Sequence, residues 1–246
     1  MSNVNWDTYA RHYDTISSLV PYSEMISLVA ATIEREHGSL LDASCGTGNL
    51  EAELMLWPQN SDLSITGVDI SPVMLKRATE KLPRYRNLRF NQADLNRPLF
   101  FESGSFGQVA CINTLYAVHN PEFVLDEFHR VLAPGGKIVI VSPKKGFENG
   151  LILKAHAKST LPDDFWARGH ESKNREEILI REAVKDEELI TALLYIAEVN
   201  RGISKSKTFH FFTKDELVSL IELSQFKIQS ASMTYADQAH IVVATK

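Results

Sequence analysis

The feature that most constrains this chain is the run Leu40-Leu41-Asp42-Ala43-Ser44-Cys45-Gly46-Thr47-Gly48-Asn49. Ser39 to Ala43 is a short apolar segment of the kind that forms a buried strand. A turn of small residues follows, and a helical pattern then runs from about Asn49 to Trp57. Small residues let the backbone approach a ligand closely. Free amides at a helix start favour an anionic or polar group. Asp42 stands at the strand end, facing the crevice where open α/β sheets bind ligands.

The same rhythm continues downstream. Leu63 to Val68, Leu88 to Asn91, Gly107 to Ile112 and Lys137 to Val141 read as further strands. Ser71-Pro72 places a cap before a proline at the first helical position, opening a helix to about Leu82. Pro121 to Leu132 reads as a helix closed by Ala133-Pro134-Gly135-Gly136. Apolar residues at helical spacing also mark 6–19 and 22–37. Strands alternating with helices imply a parallel sheet covered on both faces. Residues 146–205 carry no strand pattern and two or three helical ones, the clearest from about Lys173 to Val199. Thr213 and Glu216 form a capping box for a helix to about Leu223. Phe226 to Met233 and Ala239 to Ala244 read as closing strands. The expected organisation is a core of 1–145 and 206–246, interrupted by a helical insert at 146–205 that acts as a lid and is not an independent domain.

Two further acids fall at strand ends. Asp69 closes the second strand, 21 residues after Gly48, where a carboxylate can accept from both hydroxyls of a ribose. Asp94 follows the third. In a parallel sheet all three acids converge on one crevice. Composition narrows the partners. A formal charge of -5 carries no basic nucleic-acid footprint, and Cys45 and Cys111 make no disulfide framework or zinc site. No basic-then-apolar leader opens the chain, and no apolar run nears the ~20 residues that span a bilayer. The expected compartment is the cytoplasm, and the expected state a monomer or homodimer.

These blocks together resemble the class I S-adenosylmethionine-dependent methyltransferases of the small-molecule type. The family's first motif stands here as Asp42-x-Ser44-x-Gly46-x-Gly48, and the second as Gly67-Val68-Asp69-Ile70-Ser71-Pro72-Val73-Met74-Leu75. Ala93-Asp94-Leu95 is the third, and Phe106-Gly107-Gln108-Val109-Ala110 leading to Asn113 the fourth. Leu132-Ala133-Pro134-Gly135-Gly136-Lys137 is the fifth, and Trp6-Asp7-x-Tyr9-Ala10-x-x-Tyr13-Asp14 resembles the family's first helix. The resemblance covers about 3–145 and 210–246. Where the family usually has glycine, this chain has Ser44, which suits ordinary backbone angles and is strained at positive φ.

The resemblance implies a Rossmann-like, doubly wound, mostly parallel seven-stranded sheet with an antiparallel last strand. It implies S-adenosyl-L-methionine as cofactor and S-adenosyl-L-homocysteine as product. Backbone from Ser44 to Gly48 would border the methionine moiety, with Asp42 holding that region. Asp69 would take the ribose, Ile70 and Met74 would pack on the adenine, and Asp94 would accept from its amine, with Leu95 alongside. Asn113 would border the sulfonium, and Tyr13 would cover the cofactor. Tyr116 and His119, just past the fourth strand, are the candidate catalytic groups. Tyr9, Tyr116, His119, Trp166 and Arg168 are candidate contacts to a small-molecule methyl acceptor, with Phe165 and His170 beside the last two in the insert.

Plainer readings stand beside these. Gly46 and Gly48 suit a tight turn, Asp94 a turn cap before Asn96-Arg97-Pro98, and Tyr9, Tyr13 and Ile16 an ordinary core stripe. Met74 reads equally as core, and the two cysteines as small buried apolar residues. The charge run from Asn174 to Glu188 reads as a solvated helix face. A nicotinamide-dependent oxidoreductase is the rival enzyme, although its Gly-x-Gly-x-x-Gly fingerprint meets Glu51 at the third position. A protein that binds the same cofactor without transferring methyl is the third reading.

Overall fold

The computed structural model describes residues 4–34, 38–57, 62–83, 85–157 and 172–246. Strands β1 (Ser39–Ala43), β2 (Ser64–Asp69), β3 (Leu88–Gln92), β4 (Phe106–Ile112), β5 (Leu132–Pro143), β6 (Lys227–Thr234) and β7 (Ala239–Thr245) make one sheet in the order β3-β2-β1-β4-β5-β7-β6. The first five are parallel; β7 runs antiparallel to both β5 and β6. β1 and the centre of β5 are buried on both faces, which is why they read as unbroken apolar runs. β3 and β6 are the two edges, and β6 stays polar.

Helices α1 (Trp6–Tyr13), α2 (Val20–Thr32), α3 (Asn49–Met55), α4 (Pro72–Lys81) and α5 (Pro121–Val131) accompany the parallel strands. Their starts follow local chemistry. Asn5, Ser71 and Asn120 each accept the amide three residues on, and proline opens α4 and α5. The 6–19 pattern resolves into α1 and a 3-10 turn at Asp14–Ser18. α2 stops at Thr32, short of the expected 37, because Ile33 is extended. β5 begins five residues before Lys137, taking in the Pro134-Gly135-Gly136 stretch read as a helix stop.

The insert supplies α6 (Asn149–Ala157), α7 (Ser172–Ala183) and α8 (Glu187–Lys205), and α9 (Lys214–Leu223) follows. The single pattern expected over 173–199 is two helices, because Asp186 caps α8 by accepting the amide of Leu189. The charge run is likewise only partly solvated: Glu176 is buried in an ion pair with Arg201 of α8 and accepts from Asn149. α9 opens on the expected capping box of Thr213 and Glu216.

Two apolar layers sandwich the sheet. One joins α1, α2 and α3 to Ile152, Leu179, Leu193 and Ile196 of the insert, so the insert helices share the core of the first face. The other packs α5 and α9 on the opposite face. The strand order reverses between β1 and β4, and that switch point opens a crevice at the carboxyl ends of the strands. Among the described residues no helix is long and apolar enough to cross a membrane.

Candidate functional site

A cavity of about 580 Å³ lies over this crevice. Its floor is built by the turns that leave β1, β2 and β4. After β1 the backbone doubles back at once: Ser44 and Cys45 both donate their amides to the carbonyl of Val68. The turn needs left-handed backbone at Ser44 (φ 81°), Gly46 (φ 55°) and Gly48 (φ 78°). Ser44 therefore sits in the strained region its sequence position warned of. Gly48 caps α3, and a side chain there would press on Ala78 of α4 and on Leu82 just after it. It serves the turn and does not line the cavity; Gly46 does both, lying under the Tyr13 ring.

Asp69 fastens this turn to the next one. Its Oδ2 accepts from the Gly46 amide at 3.0 Å and the Ser44 hydroxyl at 3.3 Å, and its Oδ1 from the Ser71 amide at 2.8 Å. The carboxylate lines the cavity while being almost wholly buried, and burial raises its pKa against those three donors. Ile70, half exposed, and Met74, buried, line the adjoining wall. Asp94 lines it too, while one of its oxygens accepts both the backbone and the side-chain amide of Asn96, as a turn cap does. Leu95 lies beside it. Across the floor, Asn113 follows β4 with φ 51°, and its buried Oδ1 meets no donor.

Asp42 is placed differently from its expected cofactor contact. It stands behind the turn, 2 % exposed, against the fully buried Glu51 of α3. Asp42 Oδ1 and both Glu51 oxygens meet no donor beyond the pair itself. Burial, then the Glu51 charge, raises the Asp42 carboxyl well above its usual range. Glu51 had registered in the sequence only as the residue that breaks a dinucleotide fingerprint.

The opposite wall is aromatic. Trp6, Tyr9 and Tyr13 of α1, Tyr22 of α2 and Tyr235 form a chain of rings with successive centroids 5.7, 5.5, 6.4 and 6.1 Å apart. Tyr116 adds a sixth ring, itself stacked on Phe211. Tyr9 donates to Asn200 of α8, and Asn49 to the Tyr22 hydroxyl. Burial raises these phenols, Tyr22 to about 12, so they stay protonated at neutral pH. Sequence reasoning found Tyr9, Tyr13 and Tyr116 and missed Trp6 as a wall residue, Tyr22, Asn200, Tyr235 and Gln238.

His119 lines the cavity from elsewhere. It is exposed, and its amide donates to Asn96, which joins it to the Asp94 turn and not to the tyrosines. Burial pushes the thiols of Cys45 and Cys111 up, which suits inert core residues. Trp166 and Arg168, with Phe165 and His170, lie outside the described residues.

The first helix is pinned over the cavity by two carboxylates. Asp7 accepts from Ser71, and Asp14 from Thr47, Arg77 and Lys81. Burial alone would raise Asp14; Lys81, Thr47 and Arg77 outweigh it and hold the carboxyl below its usual value. An adenosyl group fits such a space. Two carboxylates and an apolar strip lie on one side, closely approachable backbone and an orphaned amide oxygen in the middle, and aromatic rings beyond.

Comparison with known proteins agrees. A methyltransferase-domain family model matches residues 41–140. The demethylmenaquinone methyltransferase of Thermus thermophilus is 31% identical over 162 residues, which span 62% of this chain and 71% of that protein. Its counterpart from Desulfitobacterium hafniense is 29% identical over 174 residues, 66% of this chain and 68% of that one. A solved S-adenosylmethionine-dependent methyltransferase from Aquifex aeolicus superposes with a TM-score of 0.58 at 14% identity, covering 97% of each chain, so it shares the fold. The nicotinamide reading falls with these matches, as does that of a non-methylating binder. The chain belongs to the class I S-adenosylmethionine-dependent methyltransferases.

Proposed function

We propose that the enzyme transfers the methyl group of S-adenosylmethionine to a small-molecule acceptor held against the tyrosine wall. The carrying observation is that one cavity spans both halves, from the acids at Asp69 and Asp94 to the rings of Tyr9, Tyr116 and Tyr235. The relatives named for demethylmenaquinone support a small organic acceptor.

When bound, the cofactor supplies a methyl group already activated on a sulfonium. The chain's own residues then have to bind, align and exclude water. In this reading Asp69 takes the ribose hydroxyls with the lone pairs its three donors leave free. Ile70 and Met74 flank the adenine, and Asp94 accepts from its amine. The backbone of Ser44 to Gly46 borders the methionine end, with Asn113 Oδ1 facing the sulfonium side. Tyr13 closes the cavity over Gly46. Holding acceptor and methyl in line in a dry site is worth effective molarities of about 10⁵–10⁸ M. His119 lies with the Asp94 turn, so it is assigned to the nucleoside end and no proton transfer is given to it. Tyr116, a protonated phenol, shapes the acceptor wall.

Calorimetric titration with S-adenosylhomocysteine, followed by a screen of small acceptors with methyl-labelled cofactor, tests the proposal. Saturable binding and label on a small molecule support it. Label found only on protein or nucleic acid overturns the acceptor class.

A further inference from the structure

We infer that the acceptor is an uncharged amine whose methylated, cationic product is held by the aromatic cage of Trp6, Tyr9, Tyr13, Tyr22, Tyr116 and Tyr235; this rests on the proposed methyl transfer.

The cage is assembled from distant parts of the chain. Neighbouring rings meet edge to face, Trp6 on Tyr9 at 84°, Tyr13 on Tyr22 at 87° and Tyr22 on Tyr235 at 72°. Tyr235 arrives on the β6–β7 connection, where Tyr235, Ala236 and Asp237 take φ of 56°, 54° and 58° in succession. Non-glycine residues avoid that region at a cost of about 1–3 kcal/mol each, and such strain gathers at ligand sites. The connection also presents Gln238, and α8 presents Asn200, both neutral. The Asp and Arg side chains that line the cavity, Asp69, Asp94 and Arg97, stand at the end of β2 or after β3, on the nucleoside side.

The chemistry follows from that distribution. Ring faces carry negative potential and attract cations, most strongly when water is excluded. They repel a carboxylate or phenolate acceptor. A neutral hydroxyl must lose its proton as it is methylated, and the protonated phenols around it are not bases. An amine has no such need. Its nitrogen lone pair forms the new N–C bond as the S–C bond breaks, the sulfur keeps that electron pair, and the positive charge passes from sulfur to nitrogen with no proton leaving. The acceptor meant is an amine of low basicity, already unprotonated in neutral water, because an ammonium would need a base as a hydroxyl does. The ring-lined end of the cavity then meets positive charge at every stage, first on the sulfonium and last on the ammonium.

The test compares a trimethylammonium probe, choline, with its uncharged carbon isostere, 3,3-dimethylbutan-1-ol. Each is titrated into the protein saturated with S-adenosylhomocysteine. Choline is expected to bind at least tenfold tighter. Tyr9→Leu and Tyr235→Leu should each reduce the choline-to-isostere ratio several-fold, whereas Tyr9→Phe and Tyr235→Phe keep it; loss of packing alone lowers both affinities together. The second position serves if the first variant fails to fold. Equal or tighter binding of the isostere, or no choline binding, overturns the inference and leaves the methyltransferase reading intact. Failure to bind S-adenosylhomocysteine overturns both, and is read separately in the first titration.

Discussion

Asp42 and Glu51 lie against each other behind the glycine turn, both buried, and three of their four oxygens meet no donor beyond the pair itself. Two carboxylates so placed cannot both be ionised cheaply, so the pair retains a proton. Burial pushes Glu51 up to about 7. The folded protein thus binds more protons than the unfolded chain between about pH 4 and pH 7. The Glu51 part of that stability is fully present below the window and is lost as pH rises through it, and the raised Asp42 carboxyl carries the decline further up. Glu51→Gln should flatten the dependence and raise stability at pH 8 by roughly 1–3 kcal/mol. Thermal unfolding of both proteins from pH 4 to pH 8 checks this.

Ser44 holds φ at 81° and gains only a 3.3 Å hydrogen bond to Asp69. Ser44→Gly should release more strain than it loses in bonding, stabilising the fold by about 1 kcal/mol. Ser44→Ala keeps the strain, loses the bond and should destabilise. Denaturant melts separate the two.

Asp69 serves both the turn and the proposed ribose contact. Asp69→Ala strands the amides of Gly46 and Ser71 as well as removing an acceptor for the ligand. Cofactor affinity should fall tenfold or more, with a stability loss of about 1–3 kcal/mol. Calorimetry and thermal melts report the two effects independently.

Asp14 joins the 3-10 turn after α1 to Thr47 of the glycine turn and to Arg77 and Lys81 of α4. Asp14→Ala should loosen the helix that carries Tyr9 and Tyr13. A faster release of S-adenosylhomocysteine in stopped-flow, by severalfold, is the expected result.

The sheet and the glycine turn were legible because their signals are local. A strand, an acid, small residues and a helix follow one another within Ser39–Met55. Thr213 and Glu216 announced their own capping box. The tyrosine wall was only half legible. Tyr9 and Tyr13 share a helix with a recognisable pattern, but Tyr22 looks like any core residue of α2. Tyr235 sits in a Tyr-Ala-Asp turn with no glycine to mark its left-handed backbone. Asp186 looked like part of a charge run, and only the break between α7 and α8 shows it to be a cap. Glu51 and Glu176 were hidden for the same reason: a carboxylate in a helix reads as surface until its burial is seen.

The most direct measurement is a crystal structure of the enzyme with S-adenosylhomocysteine. The ribose is expected on Asp69, the adenine between Ile70, Met74 and Asp94, and the sulfur facing the ring wall beside Asn113. A nucleoside bound away from Asp69 and Asp94, or a sulfur turned from Tyr9 and Tyr235, would contradict the account.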